Sequence, residues 1–361
     1  MSITIFSAYL CLVFAYIFII SVLASQLKKF YKIKDNESFY SVIISIFVLI
    51  INLYLFFYFK LITISPNDLI VIIIVCSIFS FFALYNLISY FYYKFIKKTS
   101  NNQQKNENSG EKTYKYYEFF RKSFHFLIFG GIIAFLFITV SILNYLYIET
   151  NDSTIYALLT NFWGTNPRKP LNNYSTTSEI VPSSIFLLAF FLVSCILVVM
   201  NEAARLIDKF DFPFSKAASL FVRSKETDVF ASYLYFIIGM IFSSLFLSVF
   251  PILSILATLS FGDSSYALIG KNLGKHKIPF NKIKSIEGSI GGLIITFACA
   301  SIFVGFLYGI ITAIIFTLID IITPKIPMCD NLMGPVLITI GYILLSLYGF
   351  DINNIFISCF F

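Results

Sequence analysis

Long uninterrupted runs of apolar residues dominate this chain and predict membrane-spanning helices. A helix needs about 20 mainly apolar residues to cross the hydrocarbon core of a bilayer. Two of the runs are long enough to hold two shorter spans each, which meet near Pro251 and around Gly309, although such short spans also fit re-entrant segments. The pattern predicts an all-α, polytopic transmembrane bundle of about ten helices. The runs cover 3–25, 39–59, 67–92, 124–148, 181–203, 230–261, 289–322 and 333–348.

The charged residues between these runs predict the orientation of the bundle. Each of the loops 27–38, 94–122, 205–228 and 262–287 carries at least four Lys or Arg residues. Cytoplasmic loops of membrane proteins are enriched in these residues, so the pattern places these loops in the cytoplasm and the N-terminus outside. The segment 149–180 has few basic residues and two N-x-S sequons, which suits an external loop.

Composition supports the same class of protein. Hydrophobic residues make up 58% of the chain and charged residues 12%, against roughly 25% charged residues in soluble domains. The net charge of +7 comes without a dense basic tract with interleaved aromatics, so no nucleic-acid partner is expected. Six scattered cysteines without a CxxC pair argue against a disulfide framework or a zinc site.

Polar residues divide the chain into three parts. Residues 1–98 form an N-terminal transmembrane extension, 99–117 a polar linker of low complexity, and 118–348 the predicted working domain. The first apolar run has no basic segment before it and no small-residue cleavage site after it. It is therefore interpreted as a retained helix rather than a signal peptide.

The stretch 262–292 combines six of the 16 glycines with five lysines. Glycine lets the backbone approach a ligand closely, and lysine binds phosphate oxygens. Asp263 directly follows an apolar span, where a carboxylate is costly unless it binds a metal or another partner. These features predict a nucleotide–Mg²⁺ site, and the alternative is a solvated basic loop with helix-packing glycines. A P-loop is excluded, because the chain has no GxxxxGK[ST] sequence.

Three further clusters lie at predicted cytoplasmic helix ends. Arg121, Lys122 and His125 suit an anion-binding helix face, or interfacial anchors of the span. Glu202 and Arg205 lie three residues apart and either take part in catalysis or pair with each other. Asp330 and Asn331 either cap the last helix or face Asp263, so that two carboxylates hold Mg²⁺.

The order of these motifs resembles the polyprenol kinase family, which includes dolichol kinase, phytol kinase and CTP-dependent diacylglycerol kinase. The resemblance covers roughly 118–348. Its most specific part runs from Gly-Asp at 262–263 to Glu-Gly-Ser at 287–289, and Ser264, Ser265 and Tyr266 depart from the family's usual small residues. The block Lys284–Gly292 also resembles phosphatidate cytidylyltransferases. Those enzymes carry a His-Gly-Gly element followed by Asp-Arg, where this chain has Asp330-Asn331.

The resemblance implies transfer of the γ-phosphate of CTP to the hydroxyl of a membrane isoprenoid alcohol, as in dolichyl phosphate synthesis for protein glycosylation. Diacylglycerol or phytol, or a cytidylyltransferase reaction, are the alternatives. The site is expected on the cytoplasmic side of the endoplasmic reticulum in a eukaryote, or of the plasma membrane in an archaeon.

The resemblance also implies roles for individual residues. A loop over 270–292 is expected to cradle CTP, with Mg²⁺ bound by Asp263, Asp330 and Asn331. Arg121 and Lys122 are expected to neutralise the transferring phosphoryl group, and Asp263, Glu202 and His125 are candidates for the general base. The residues expected to bind CTP are Gly270, Gly274, Lys275, Lys277, Lys284, Ser285, Glu287, Gly288 and Ser289.

Overall fold

A computed structural model describes residues 3–58, 110–150, 182–206, 222, 226, 228–323 and 326–350. These residues form nine helices and one two-stranded antiparallel hairpin. The helices are α1 (Ile3–Ile33), α2 (Asn36–Tyr58), α3 (Gly110–Thr150), α4 (Pro182–Leu206), α5 (Ser232–Phe246), α6 (Val249–Ala257), α7 (Asp263–Asn272), α8 (Ile286–Ile322) and α9 (Asp330–Leu347), and the strands are β1 (Lys277–Ile278) and β2 (Asn281–Ser285).

The predicted membrane bundle is confirmed in its coarse form. Within the described residues, six helical stretches are long and apolar enough to cross a membrane, so the chain is an integral multi-pass membrane protein. Residues 110–117, predicted as part of the polar linker, are instead the start of α3. The sequence 111–129 contains neither Pro nor Gly, so nothing interrupts the helix before the apolar run. The predicted span 67–92 lies outside the described residues.

Helix α8 folds back on itself at Gly305. This residue has φ +80° and ψ 177°, a backbone region that is open almost only to glycine. The rings of Phe297 and Phe306 lie 5.3 Å apart, although residues nine positions apart on a straight helix are separated by about 13 Å. Two antiparallel halves result, α8a (Ile286–Val304) and α8b (Phe306–Ile322). The sequence predicted two spans here, but it placed the break around Gly309, four residues too late.

The two halves of α8 match the thickness of a bilayer. They contain 19 and 17 residues, which correspond to lengths of about 28 and 26 Å at 1.5 Å per residue. The hydrocarbon core is about 30 Å thick. The N-terminal end of α8a and the C-terminal end of α8b therefore lie at the same face of the bundle.

Helices α5 and α6 form the buried centre of the molecule. Nearly all their residues are buried, as expected for helices that are apolar all round. They are separated by extended backbone at Leu247 and Ser248, so the break predicted near Pro251 lies a few residues earlier. Pro251 sits in the first turn of α6, where its missing N–H costs no helical hydrogen bond. Ser254 of α6 shares a 2.8 Å hydrogen bond with Tyr342 of α9.

Several connections meet at one face of the bundle, called here the lysine-rich face. At the α1–α2 connection, the ring of Phe30 packs on Phe230 at 5.4 Å. The backbone N–H of Cys329 donates to Ser41 Oγ at 2.9 Å, and Asn281 Nδ2 donates to the carbonyl of Ile321 at 2.7 Å. The α1–α2 turn, the start of α5, the β-hairpin and the α8–α9 connection therefore lie together. The assignment of this face to the cytoplasm stays a prediction.

Candidate functional site

The stretch 262–292 is a helix–hairpin–helix unit rather than the predicted loop. A π-helical segment, Thr258–Gly262, joins α6 to α7, so Val249–Asn272 runs as one helix. The β-hairpin follows, and the N–H of Ile286 donates to the carbonyl of His276 at 2.9 Å. The prediction of a CTP-cradling loop over 270–292 is wrong in this respect. Spacing alone did not show that the apolar residues of α7 pack against α8a.

Close contact between α7 and α8a explains most glycines of this unit. A Cβ atom on Gly288 would lie 2.7 Å from Gly270 Cα, and one on Gly274 would lie 2.7 Å from Ser285 Cβ. A Cβ atom on Gly291 would lie 2.5 Å from Ile269 Cδ1, so the two helices meet at van der Waals contact of their backbones. This geometry favours the helix-packing alternative for these glycines. The nucleotide contacts predicted for Gly270, Gly274 and Gly288 stay a prediction. The packing of the two helices accounts for these glycines without them.

Two of the predicted nucleotide residues hold the hairpin on α8a. Ser285 is the N-cap of α8, and its Oγ accepts a hydrogen bond from the N–H of Gly288 at 3.2 Å. Glu287 accepts from the backbone N–H of His276 at 3.0 Å and contacts His276 Nδ1 at 2.5 Å. Ser289 differs from both, because its Oγ is buried and has no hydrogen-bond partner. The orphaned hydroxyl makes Ser289 a candidate for binding a ligand.

The lysines of the unit fall into two groups. Lys275 and Lys277 are exposed on the hairpin, beside exposed apolar side chains at Phe280 and Ile283. Lys284 instead turns inward, with 29% of its side chain exposed, and forms an ion pair with Asp320 Oδ1. This pair connects β2 to the end of α8b across 36 positions of sequence.

Asp320, Asp263 and Asp330 are called here the acidic cluster, because the charges of the last two act on Asp320. The side chain of Asp320 is only 6% exposed, and its second oxygen, Oδ2, is buried without a hydrogen-bond partner. Asp263 and Asp330 both lie close enough for their charges to act on Asp320. The structure thus brings the two predicted metal ligands towards a third carboxylate that sequence reasoning missed. One signal was available, since Asp320 is the only charged residue in the apolar run 289–322, and an ionisable group in such a run marks a functional site.

Asp330 and Asn331 open α9 beside this cluster. The N-cap of α9 is Cys329. Asp330 is therefore the first residue of the helix and not its cap, which was one of the two predicted alternatives. Its Oδ1 accepts a hydrogen bond from the N–H of Asn331 at 2.8 Å, and Asn331 is buried. Asp330 is half-buried, so part of its carboxylate surface is open to a ligand.

The donor atoms of this cluster fit magnesium. Mg²⁺ prefers oxygen ligands and is usually bound by one or two carboxylates, with phosphate oxygens and water completing its shell. The described residues contain no group of three His, Cys, Asp or Glu side chains already arranged to hold a metal. The buried Oδ2 of Asp320 nevertheless offers a carboxylate oxygen that no protein donor uses. The cluster therefore suits a metal ion that arrives with phosphate ligands.

The predicted basic cluster lies on α3. The backbones of Arg121, Lys122 and His125 are helical, and their side chains fall outside the described part of the chain. The ring of Phe126 packs on Phe261 at 4.8 Å. Because Phe261 lies two residues before Asp263, this contact brings the start of the α3 span alongside the acidic cluster.

Glu202 pairs with Arg205, which is one of the two alternatives that the sequence left open. Its side chain is fully buried, and it accepts hydrogen bonds from Arg205 at 3.1 and 2.6 Å, from the N–H of Ala231 at 2.8 Å and from the Tyr233 hydroxyl. Arg205 also donates to the carbonyls of Glu226 and Val229. These bonds fasten the end of α4 to the start of α5, so they favour a structural role over the predicted general base.

Comparisons with models of protein families, with curated proteins and with solved structures found no match to this chain. The case for a function therefore rests on the residues described above and on their geometry.

Proposed function

We propose that this protein is a CTP-dependent lipid kinase that phosphorylates a membrane isoprenoid alcohol of the polyprenol or dolichol type. The observation that carries the proposal is the Lys284–Asp320 pair, which lies beside Asp263 and Asp330 at the lysine-rich face. A phosphate-binding cation next to oxygen ligands for magnesium is what transfer of a phosphoryl group requires. The order of motifs that resembles polyprenol kinases names the nucleotide and the class of acceptor.

The reaction transfers one phosphoryl group. The hydroxyl oxygen of the lipid attacks the γ-phosphorus of CTP, the bond from that phosphorus to the β-phosphate oxygen breaks, and CDP leaves. The hydroxyl proton passes to a carboxylate, for which Asp263 is the proposed acceptor. Magnesium, when bound, would neutralise phosphate charge. Lys284 and the lysines of the β-hairpin would bind phosphate oxygens, since positioning and electrostatics supply most of the catalysis in phosphoryl transfer.

An apolar groove between α8b and α9 supports a lipid acceptor. The groove has a volume of about 360 Å³ and is lined almost entirely by aliphatic side chains. It runs from Leu344, near the end of α9, to Met328, two residues before Asp330. A hydrocarbon chain in this groove would hold its terminal hydroxyl at the acidic cluster while the tail stays in the bilayer.

The test is phosphate transfer by the purified protein in detergent. We expect γ-labelled CTP with Mg²⁺ to label a short polyprenol, and Asp263→Asn to lower the rate by about 100-fold or more. The exposed residue Asp228 provides a matched control, and Asp228→Asn is expected to retain the wild-type rate. Both variants should insert into membranes and unfold like the wild type, because neither change alters the size of the side chain.

Other outcomes decide between this reaction and its alternatives. Labelling of diacylglycerol but not of polyprenol would change the lipid class. Release of pyrophosphate from CTP with a phosphorylated lipid would assign the protein to the cytidylyltransferases. Full activity of Asp263→Asn would remove Asp263 from the chemistry.

A further inference from the structure

We propose that Asp320 is a metal-binding carboxylate of this site, and that Lys284 occupies its cation position until magnesium and nucleotide bind. The nucleotide part of this inference rests on the proposed function, while the cation site does not. Sequence analysis assigned Lys284 to phosphate and did not assign Asp320 at all. Because the two residues form an ion pair, magnesium can bind Asp320 only as Lys284 leaves it for phosphate.

The environment of Asp320 is unusual for a carboxylate that only forms a structural ion pair. A carboxylate that is 94% buried needs a compensating cation, and Lys284 supplies one at Oδ1. Its other oxygen, Oδ2, is buried and accepts no hydrogen bond, although buried polar atoms are nearly always paired. A carboxylate placed only for a structural ion pair would be expected to satisfy both oxygens. An unused, buried oxygen is instead typical of a group that binds a second ligand.

Two further carboxylates act on Asp320. Asp263 on α7 and Asp330 on α9 come from different helices, and both act electrostatically on Asp320. Negative charges gathered from three separate elements repel one another, and a divalent cation removes this repulsion more completely than one ammonium group. The three are not arranged as a ready chelate. Mg²⁺ does not need one, because phosphate oxygens and water complete its shell.

Lys284 keeps part of its side chain in solvent. Its side chain is 29% exposed, and it lies at the end of the hairpin that carries Lys275 and Lys277. A lysine holds three donors on a flexible stem, so it can leave Asp320 for a phosphate oxygen without a change in the backbone. Departure of Lys284 exposes Asp320 to the metal at the same moment as the lysine binds the nucleotide. Magnesium and nucleotide are then expected to strengthen each other's binding.

The test removes the lysine and asks whether a metal replaces it. Thermal unfolding of the purified protein is followed in detergent over a millimolar range of Mg²⁺, without nucleotide. The variants are Lys284→Gln, which keeps a hydrogen-bond donor near Asp320, Lys284→Met, Asp320→Asn, and the double variant Lys284→Gln/Asp320→Asn. Lys282→Gln, at an exposed lysine of the same strand, is the matched control.

We expect both Lys284 variants to unfold at a lower temperature than the wild type, and Mg²⁺ to restore most of the loss. Their affinity for Mg²⁺ should exceed that of the wild type by at least about 10-fold, because no internal cation competes. The double variant and Lys282→Gln should show no more response to Mg²⁺ than the wild type. Equal responses of Lys284→Gln, the double variant and the wild type would overturn the proposal. If Lys284→Met does not fold, Lys284→Gln alone decides the question.

The experiment separates this inference from the proposed function. A magnesium response in Lys284→Gln that needs Asp320, without phosphate transfer to any lipid, would establish the cation site and reject the kinase. Phosphate transfer by the wild type, without a magnesium response in Lys284→Gln, would support the kinase and reject the exchange.

Discussion

Gly270 and Gly288 bring the backbones of α7 and α8a into direct contact. Gly288 lies three residues after Ser285, which caps α8a. Lys284, which reaches Asp320, directly precedes Ser285. An added Cβ on Gly270 would crowd Ser285 Oγ at 3.2 Å, whereas one on Gly288 would lie 2.7 Å from Gly270 Cα, so that the two helices must separate. The hairpin would then move, and the ion pair of Lys284 with it.

The variant Gly288→Ala tests this contact. Its Cβ would lie 2.7 Å from Gly270 Cα and 3.0 Å from Gly270 N, and backbone atoms cannot move aside as a flexible side chain does. We expect the free energy of unfolding to fall by about 1–3 kcal/mol, as for other overpacked sites, measured by denaturation in detergent.

Gly130→Ala is the matched control for Gly288→Ala. Gly130 lies inside α3 with no atom within 4 Å of an added Cβ, and alanine favours a helix over glycine by up to about 1 kcal/mol. Its stability should stay the same or rise. A similar loss in both variants would show that the contact with Gly270 does not matter.

At this scale, sequence predicted residues with unusual chemistry better than it predicted their partners. Asp263 was found because a carboxylate beside an apolar span is costly, Asp330 because it comes just ahead of the last predicted helix, and Lys284 because it lies in a cluster of lysines. Asp320 was missed although it is isolated in an apolar run. Its partner is 36 positions away, and the contact exists only because α8 turns at Gly305.

Among the secondary-structure elements, α8b and α9 carry the proposed lipid groove. Leu344 lines the groove, 14 residues along α9 from Asp330, or about 21 Å at the helical rise. The distal part of the groove therefore contacts only the far portion of a long lipid tail. We therefore expect the groove to distinguish long-chain from short-chain lipids.

The variant Leu344→Trp tests that prediction. We expect the KM for a long-chain polyprenol to rise about 10-fold, corresponding to about 1.4 kcal/mol, because the larger ring fills the groove. The KM for CTP, and that for a short-chain alcohol whose tail ends before Leu344, should not change.

Leu307→Trp provides the control for Leu344→Trp. Leu307 is similarly exposed and does not line the groove, so the same substitution there should leave all three KM values unchanged. An equal effect at the two leucines would assign the change to general disturbance of the bundle.

The elements themselves were predicted where the apolar runs are long. α2, α4 and α9 begin and end within a few residues of their predicted bounds. The helix–hairpin–helix unit was not predicted, because its lysines and glycines are typical of a loop. Only the contact between two helices shows why those glycines lie inside helices.

For the molecule as a whole, the turn at Gly305 sets the number of crossings. α8 leaves the lysine-rich face and returns to it, whereas α9 starts there and crosses once. Its end lies at the other face, where Tyr308, three residues after the turn, donates a 2.7 Å hydrogen bond to the carbonyl of Phe350. Counting α8 as one span would place the end of α9 on the wrong side.

Epitope tags in sealed membrane vesicles test this topology. A tag inserted between Pro279 and Phe280 and a tag placed after Phe350 are expected on opposite sides, so a protease added from outside should remove only one of them. The hairpin tag should share its side with a tag at Asp35, in the α1–α2 turn. Removal of the tags at Pro279 and Phe350 from the same side would contradict the fold-back of α8.

Sequence alone predicted a multi-pass bundle and an orientation, since both follow from the apolar runs and the basic loops. It did not predict which helices are central. α5 and α6 are among the most apolar of the described helices, but α8 is similarly apolar and has many exposed residues, so apolarity alone does not identify the centre.

The fold-back of α8 also has a consequence for the order in which the protein is made. Asp263, Lys284, Asp320 and Asp330 leave the ribosome in that order, and the last two emerge only after the turn residue Gly305. Until then Lys284 has no Asp320 to pair with, and a chain that stops before α9 lacks Asp330. The charged cluster is therefore complete only once α9 has begun to emerge, and the residues of α5 and α6 are synthesised before it.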